Sequence, residues 1–309
     1  MPKVSVIIPS FNCELYIAET INSVLNQSHK NVELIVVDDG STDLTREIVA
    51  SFGSSVRLIV QENLGRCAAR NHGIHEAGGE FICLLDHDDY WFSDKLALQL
   101  AEFQYHPEAG GVYSNFIMWD ENPDGQFPSP DSFDLTVYPA GIDADLSGWV
   151  YHLFLIDIYM LTSAAMFRAE VFQRCGFYDE SLPYSEDWEL WLRIVREYPI
   201  IKLRRPTTLY RQHPQQGNRV IRDIDYRTEL LSRTAKKWGM CSRDGRCLTR
   251  RQFHQQLARY YMSFALGHLQ YGKRQIAIRS FIKAWFAYPL NLKSLAYIPA
   301  ALFGWKPKY

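Results

Sequence analysis

Within its first ninety residues the chain repeats one pattern four times: a short apolar, β-branched run breaks off, mostly into polar or acidic residues. The runs cover residues 4–8, 34–37, 56–60 and 81–85, and amphipathic stretches lie between them. Pro9 stops the first run, and Asn12 is placed to cap a helix in which Leu15, Ala18, Ile21 and Leu25 recur at helical spacing. Further helices are predicted from Ser41 or Thr42 to about Phe52, over 66–77 and over 95–103. Such alternation builds βαβ units and a mainly parallel sheet. The carboxyl ends of parallel strands share one edge, where ligands bind. Polar residues collect there, at 9–12, Asp38-Asp39 and Asp86-His87-Asp88-Asp89.

The last group puts three carboxylates within four residues of a buried strand end. They repel one another unless a cation neutralises them, and hard oxygen ligands select Mg²⁺ or Mn²⁺, which bridge readily to a substrate diphosphate. The plainer alternative is a solvated acidic turn. Asp38 and Asp39 can accept hydrogen bonds from a base or ribose, or simply start the Gly40-Ser41-Thr42 turn. The first strand-to-helix loop, Pro9-Ser10-Phe11-Asn12, holds no glycine, so neither a dinucleotide fingerprint nor a P-loop is present.

Past residue 103 the text is irregular, and residues 120–145 read as loop. Helical spacing returns over 186–197, opened by Glu186-Asp187-Trp188-Glu189. An acid there is either a cap interacting with the helix dipole or a general base for an acceptor hydroxyl. Downstream, Arg211, His213 and Arg219 offer cations for a leaving diphosphate and an imidazole for a metal shell.

Charge divides the chain. Residues 201–309 carry 22 Lys and Arg against four acids, which leaves residues 1–200 with 11 basic and 31 acidic residues. The acidic part suits divalent cations, and the basic, aromatic-rich part suits an anionic surface. For residues 216–309 two readings stand: a helical cap with solvated charges, or docking on an anionic membrane face. With 47% hydrophobic residues over 309 positions the chain is globular rather than disordered. The six cysteines form no CxxC pair, and no apolar signal core opens the chain. Neither disulfides nor zinc are therefore expected, and the placement expected is cytoplasmic, with peripheral membrane association.

Taken in order, residues 4–12 (VSVIIPSFN), 33–43 (ELIVVDDGSTD), Asn63-Leu64-Gly65 with 68–74 (AARNHGI), 85–89 (LDHDD), 176–180 (GFYDE) and 185–188 (SEDW) resemble the inverting glycosyltransferase family 2. The resemblance spans about two-thirds of the chain. It implies the GT-A fold, an α/β architecture with a mixed, mainly parallel sheet flanked by helices, here followed by a helical extension. The implied divisions are a nucleotide-sugar-binding half (1–110), an acceptor-binding half (111–215) and a basic helical region (216–309).

By the same resemblance Pro9, Phe11 and Asp39 line the nucleoside pocket with Asn63, Arg66 and Asn71 nearby. Asp86 and His87 also contact the nucleotide-sugar. Asp86 and Asp88 form the D-x-D pair, with Asp89 as a substitute, and hold Mn²⁺ or Mg²⁺ together with His213. Asp187 aligns with the catalytic base, and Arg211 and Arg219 are assigned to the diphosphate. The Q-x-x-R-W motif of processive members is missing, so transfer of one or a few sugars to a glycan or lipid-linked acceptor is expected, in a surface-polysaccharide or glycolipid pathway. A nucleotide-sugar sensor of the same fold is the alternative, and nucleic acid is not an expected partner.

Overall fold

A computed structural model of the chain describes residues 1–214, 216 and 220–303. In chain order the elements are β1 (Val4–Ser10), α1 (Ile17–Leu25), β2 (Val32–Asp39), α2 (Thr45–Ala50), β3 (Arg57–Gln61), α3 (Arg66–Glu76), β4 (Phe81–Leu84), β5 (Tyr90–Trp91), α4 (Lys95–Tyr105) and β6 (Gly111–Trp119). They continue with α5 (Tyr151–Phe154), β7 (Ala165–Arg168), α6 (Ala169–Cys175), α7 (Glu186–Glu197), β8 (Ile200–Arg211), α8 (Tyr226–Trp238), α9 (Arg250–Tyr271), α10 (Arg274–Ala287) and α11 (Leu292–Leu302). Two compact units result: Met1–Val150 with Ile158–His213, and Tyr151–Asp157 with the described residues from Pro214 onward.

The first unit carries an eight-stranded sheet in the order β3-β2-β1-β4-β7-β6-β8-β5. β1 is buried at every residue because it has parallel neighbours on both sides and helices over its faces. Its register sets Ser10 opposite Asp38 of β2 and Ile7 opposite Leu84 of β4, so the three strands end along one edge. The chain order reverses at β1, between β2 and β4, which is where an open α/β sheet forms a crevice. Helix α3 lies close to β1 because Gly73 faces it; a Cβ there would stand 2.3 Å from Ile7 Cγ2. The expected mixed, mainly parallel sheet is present. Its second half, with antiparallel β7 between β4 and β6 and with β8 pairing β6 in parallel, was not legible as strands in the irregular text.

The first helix corrects the sequence reading. It starts at Ile17, buries Ile17, Thr20, Ile21 and Val24, and leaves Leu15 73% exposed. Asn12 adopts a left-handed φ of 46° and its side-chain oxygen accepts from the Thr42 amide at 2.8 Å, so it ties two loops together instead of capping.

In the second unit Tyr151 donates to the Gly239 carbonyl, and Tyr260 donates to that of Ile156, which anchors the inserted segment. Ala265, Leu269, Ala277, Phe281 and Ala284 form the core of α9, α10 and α11. Cys241 and Cys247 are joined by a disulfide, contrary to the sequence expectation. The two face each other across an antiparallel bridge closing a tight turn, a proximity that their spacing of six does not advertise. Among the described residues no helix is long and apolar enough to cross a membrane.

Candidate active site

At the shared edge the chain leaves β4 and turns through residues 86–89. This turn is held from three directions. The Thr20 hydroxyl, on α1, lies 2.9 and 2.8 Å from the carbonyls of His87 and Asp89. The Ser163 hydroxyl accepts from the Asp86 amide at 3.1 Å and donates to the Asp89 carboxylate. Arg211, at the end of β8, donates Nε to the Asp88 carbonyl at 2.7 Å.

The three carboxylates have separate fates. Asp89 is fully buried, takes the Arg211 amide and Ser163, and is pushed well above the carboxylate range by burial and by the charges of Asp88 and Asp86. In this structure it braces the turn through Ser163 and the Arg211 amide. Asp88 Oδ2 stands 2.8 Å from His213 Nε2. Burial alone would raise Asp88, but the His213 hydrogen bond and the His87 and His213 charges hold it below its ordinary value. Asp86 instead receives Arg70 at 2.6 Å.

Arg70, which sequence reasoning did not single out, joins the two acidic segments. Its guanidinium is buried, reaches Asp86 and Glu186, and lies 5.1 Å from the Tyr178 ring centroid. Burial opposes its charge, and Asp86, Tyr178 and Glu186 more than offset that. Arg66 adds a second cation on Glu186 at 2.8 Å. Glu186 is thus paired with two arginines, whereas among the described residues Asp187 forms no ion pair and feels the Arg70 and Arg66 charges only at longer range. Asp187 accepts the Trp188 amide at 2.7 Å and is pushed up to about 6 by burial and by Glu186. Ser185 just before it adopts a left-handed φ of 62°, a conformation that costs energy in a residue with a Cβ and aims the start of α7.

Tyr210 of β8 also belongs here. Its phenol is pushed up, first by burial and then by the acidic groups of this edge.

The remaining predicted residues divide. Pro9 lies one residue before the end of β1, where its carbonyl accepts from His87 Nδ1 at 3.1 Å. Phe11 is 41% exposed and available to stack. Asp39 accepts from Gln61 and from the amides of Leu64 and Gly65, leaving it about one further acceptor position. Asn63 is exposed beside Gly40. Asn71 is not a pocket residue: its amide is engaged by Tyr178 and Glu180, pinning α3 to the 178–180 loop. Arg66 is turned to Glu186. Arg211 is likewise corrected: its guanidinium, 2% exposed, binds Asp88 and Glu19 and sits 3.9 Å from the Trp119 centroid, with Tyr16 and Phe127 beside it. Arg219 lies outside the described residues.

Among the described residues no three His, Cys, Asp or Glu side chains converge as a complete metal shell. Asp88 and His213 nevertheless fit a hard cation. His213 is buried and Asp88 half-buried beside it, and a cation of this class takes only one or two protein ligands when a substrate diphosphate supplies others.

Comparison with known proteins identifies the family and the fold. Residues 5–173 match the family described as Glycosyl transferase family 2. An uncharacterized glycosyltransferase of Rickettsia typhi is 31% identical over 204 residues, 63% of this chain and 59% of that protein. The E. coli UDP-Glc:alpha-D-GlcNAc-diphosphoundecaprenol beta-1,3-glucosyltransferase WfaP is 32% identical over 221 residues, 69% of this chain and 78% of that protein. The matched region spans 31–59% of the length of five Rickettsia relatives. Among solved structures, S. aureus TarS 1-349 in complex with UDP-GlcNAc superposes with a TM-score of 0.65 at 21% identity, covering 98% of this chain and 88% of that one. At that identity the likeness is one of fold.

Proposed function

The chain belongs to glycosyltransferase family 2, and from that premise we propose that it transfers a sugar, with inversion, from a nucleoside-diphosphate donor to an acceptor hydroxyl. The observation that carries this reading is the split between neighbours at the start of α7: Glu186 is paired with two arginines, while Asp187 is left with a carboxyl pushed up to about 6. A base of that strength is mostly ionised at neutral pH yet accepts a proton readily in a transition state. Asp187 takes the acceptor proton as the acceptor oxygen attacks the anomeric carbon.

Pro9, Phe11 and Asp39 line the nucleoside end of the same edge, with Asp39 accepting from the base or ribose. His87, its Nδ1 committed to Pro9, has Nε2 left to meet the donor. Arg70 ties Asp86 to Glu186 and so links the D-x-D turn to the base helix. Asp88 and His213 would hold Mg²⁺ or Mn²⁺, which when bound offsets charge developing on the leaving diphosphate. Arg211 contributes by fixing the Asp88 backbone.

The names of relatives guide the choice of substrate. WfaP is named for a UDP-sugar donor and a diphosphoundecaprenol-linked acceptor, and the TarS neighbour was solved with UDP-GlcNAc. UDP-sugars and lipid-linked saccharides are accordingly the classes we propose. The test is donor binding by thermal shift and nucleoside diphosphate release across a nucleotide-sugar panel, with and without Mn²⁺. Manganese-dependent stabilisation and turnover with one donor is the expected result. A folded protein that responds to no donor would overturn the proposal in favour of a different ligand for this edge.

A further inference from the structure

The second unit presents charge and apolar surface in a combination that the transfer chemistry does not use. Residues 250–303 contain eight Lys and Arg and no Asp or Glu. In the same stretch Phe286, Leu290, Leu292, Leu302 and Phe303 are well exposed, Phe303 at 90%. Between α9 and the start of α11 lies a cavity of about 430 Å³. Its α9 wall is a single helical face, Arg259, Met262, Ser263, Leu266, Gly267 and Gln270, and Asn291 and Lys293 face it from the other side. Space above Gly267 is open, since a Cβ there would meet nothing within 4 Å. The cleft is therefore apolar in its floor and carries one cation at each side, beside exposed Leu290 and Leu292.

We propose that this unit docks on an anionic membrane surface and that the α9–α11 cleft receives a lipid headgroup phosphate between Arg259 and Lys293. Three properties of the stretch suit that partner. Residues 250–303 hold eight cations and no acid, and although Lys273 pairs with Asp223, an excess of positive charge is left to attract an anionic leaflet. Its exposed leucines and phenylalanines can enter the headgroup layer beside the cations. The cleft combines amide and ammonium donors with CH₂-rich walls, matching a phosphate joined to acyl chains. The inference does not rest on the donor or acceptor proposed above.

The experiment is flotation of the full chain with vesicles of phosphatidylcholine alone or with roughly 30% phosphatidylglycerol, at about 0.1 M salt. Binding to the anionic vesicles only, weakening with added salt, is expected. Arg259→Gln with Lys293→Gln should lower partition by about 25-fold, at roughly fivefold per cation. Gly267→Glu places an acid in open space inside the cleft and should weaken binding much more than Lys236→Gln, a one-charge change on the exposed side of α8. Circular dichroism melting verifies that each variant is folded. Four outcomes overturn the proposal: a folded wild-type chain that stays off anionic vesicles, equal losses in Gly267→Glu and Lys236→Gln, a preference for RNA over vesicles, or burial of the surface in a dimer.

Discussion

The two units handle charge in opposite ways. In the first, cations and acids are matched around buried Arg70, Glu186 and Arg211: Arg70 lies between Asp86 and Glu186, Arg66 joins Glu186, and Arg211 spans Glu19 and the Asp88 carbonyl. In the second, most cations of α9 to α11 stay at the surface, and Lys273 meets Asp223 in an exposed pair. Buried pairs set positions because an unmatched partner is costly there, whereas exposed charges contribute little to the fold and are free to serve a partner. The same distinction operates over one residue at α7, where Glu186 is matched and Asp187 is not.

Removing the buried match is the largest perturbation. Arg70→Met leaves Asp86 without its cation and Glu186 with Arg66 alone, and should destabilise the first unit by about 2–4 kcal/mol, read by chemical denaturation. A loss below about 1 kcal/mol would erase the contrast between the units.

Asp187→Asn tests the unmatched side. Turnover should fall by ~10²-fold or more with donor affinity retained, and wild-type kcat/KM should decline as pH drops through about 6. Stability should move the other way. A carboxyl whose pKa is raised on folding costs stability as pH climbs from its unfolded value toward its folded one. The variant should therefore be more stable at pH 7, by about 1–2 kcal/mol once partial exposure is discounted, with the gain vanishing below about pH 4. Unchanged turnover, or a variant less stable at pH 7, would remove Asp187 from its role.

Gly73→Ala probes packing beneath the site without touching charge. Its methyl group meets Ile7 at 2.3 Å, so α3 and Arg70 must shift, at about 1–3 kcal/mol. Activity should fall with it, since Arg70 is on the same helix. The smallest effect is expected from Lys273→Gln, which breaks an exposed pair and should change stability by less than about 0.5 kcal/mol.

Much of the site's location was legible before any coordinates. Buried parallel strands read as continuous apolar runs, so residues 4–8, 34–37 and 81–85 announced themselves and their polar ends marked the edge. Helix α7 was legible over its whole length because its amphipathic spacing is strong. β6, β7 and β8 were not, because these strands come from distant parts of the chain with loops and short turns between them. Local patterning also misplaced α1, where Leu15 continues the apolar spacing but precedes the helix.

By itself the sequence determined the fold class, the family and the segments that carry Asp86, Asp88, Asp187 and His213, because those depend on local periodicity and short motifs. Tertiary structure decided which of several similar side chains is available for chemistry. Asp88 meets His213 across 125 positions, Arg70 meets Glu186 across 116, and Asp89, one residue from Asp88, is withdrawn to Ser163. Those outcomes follow from burial and pairing between segments far apart in the chain. They also tie Asn71 and Arg211, which look like ligand residues in the sequence, to other parts of the protein.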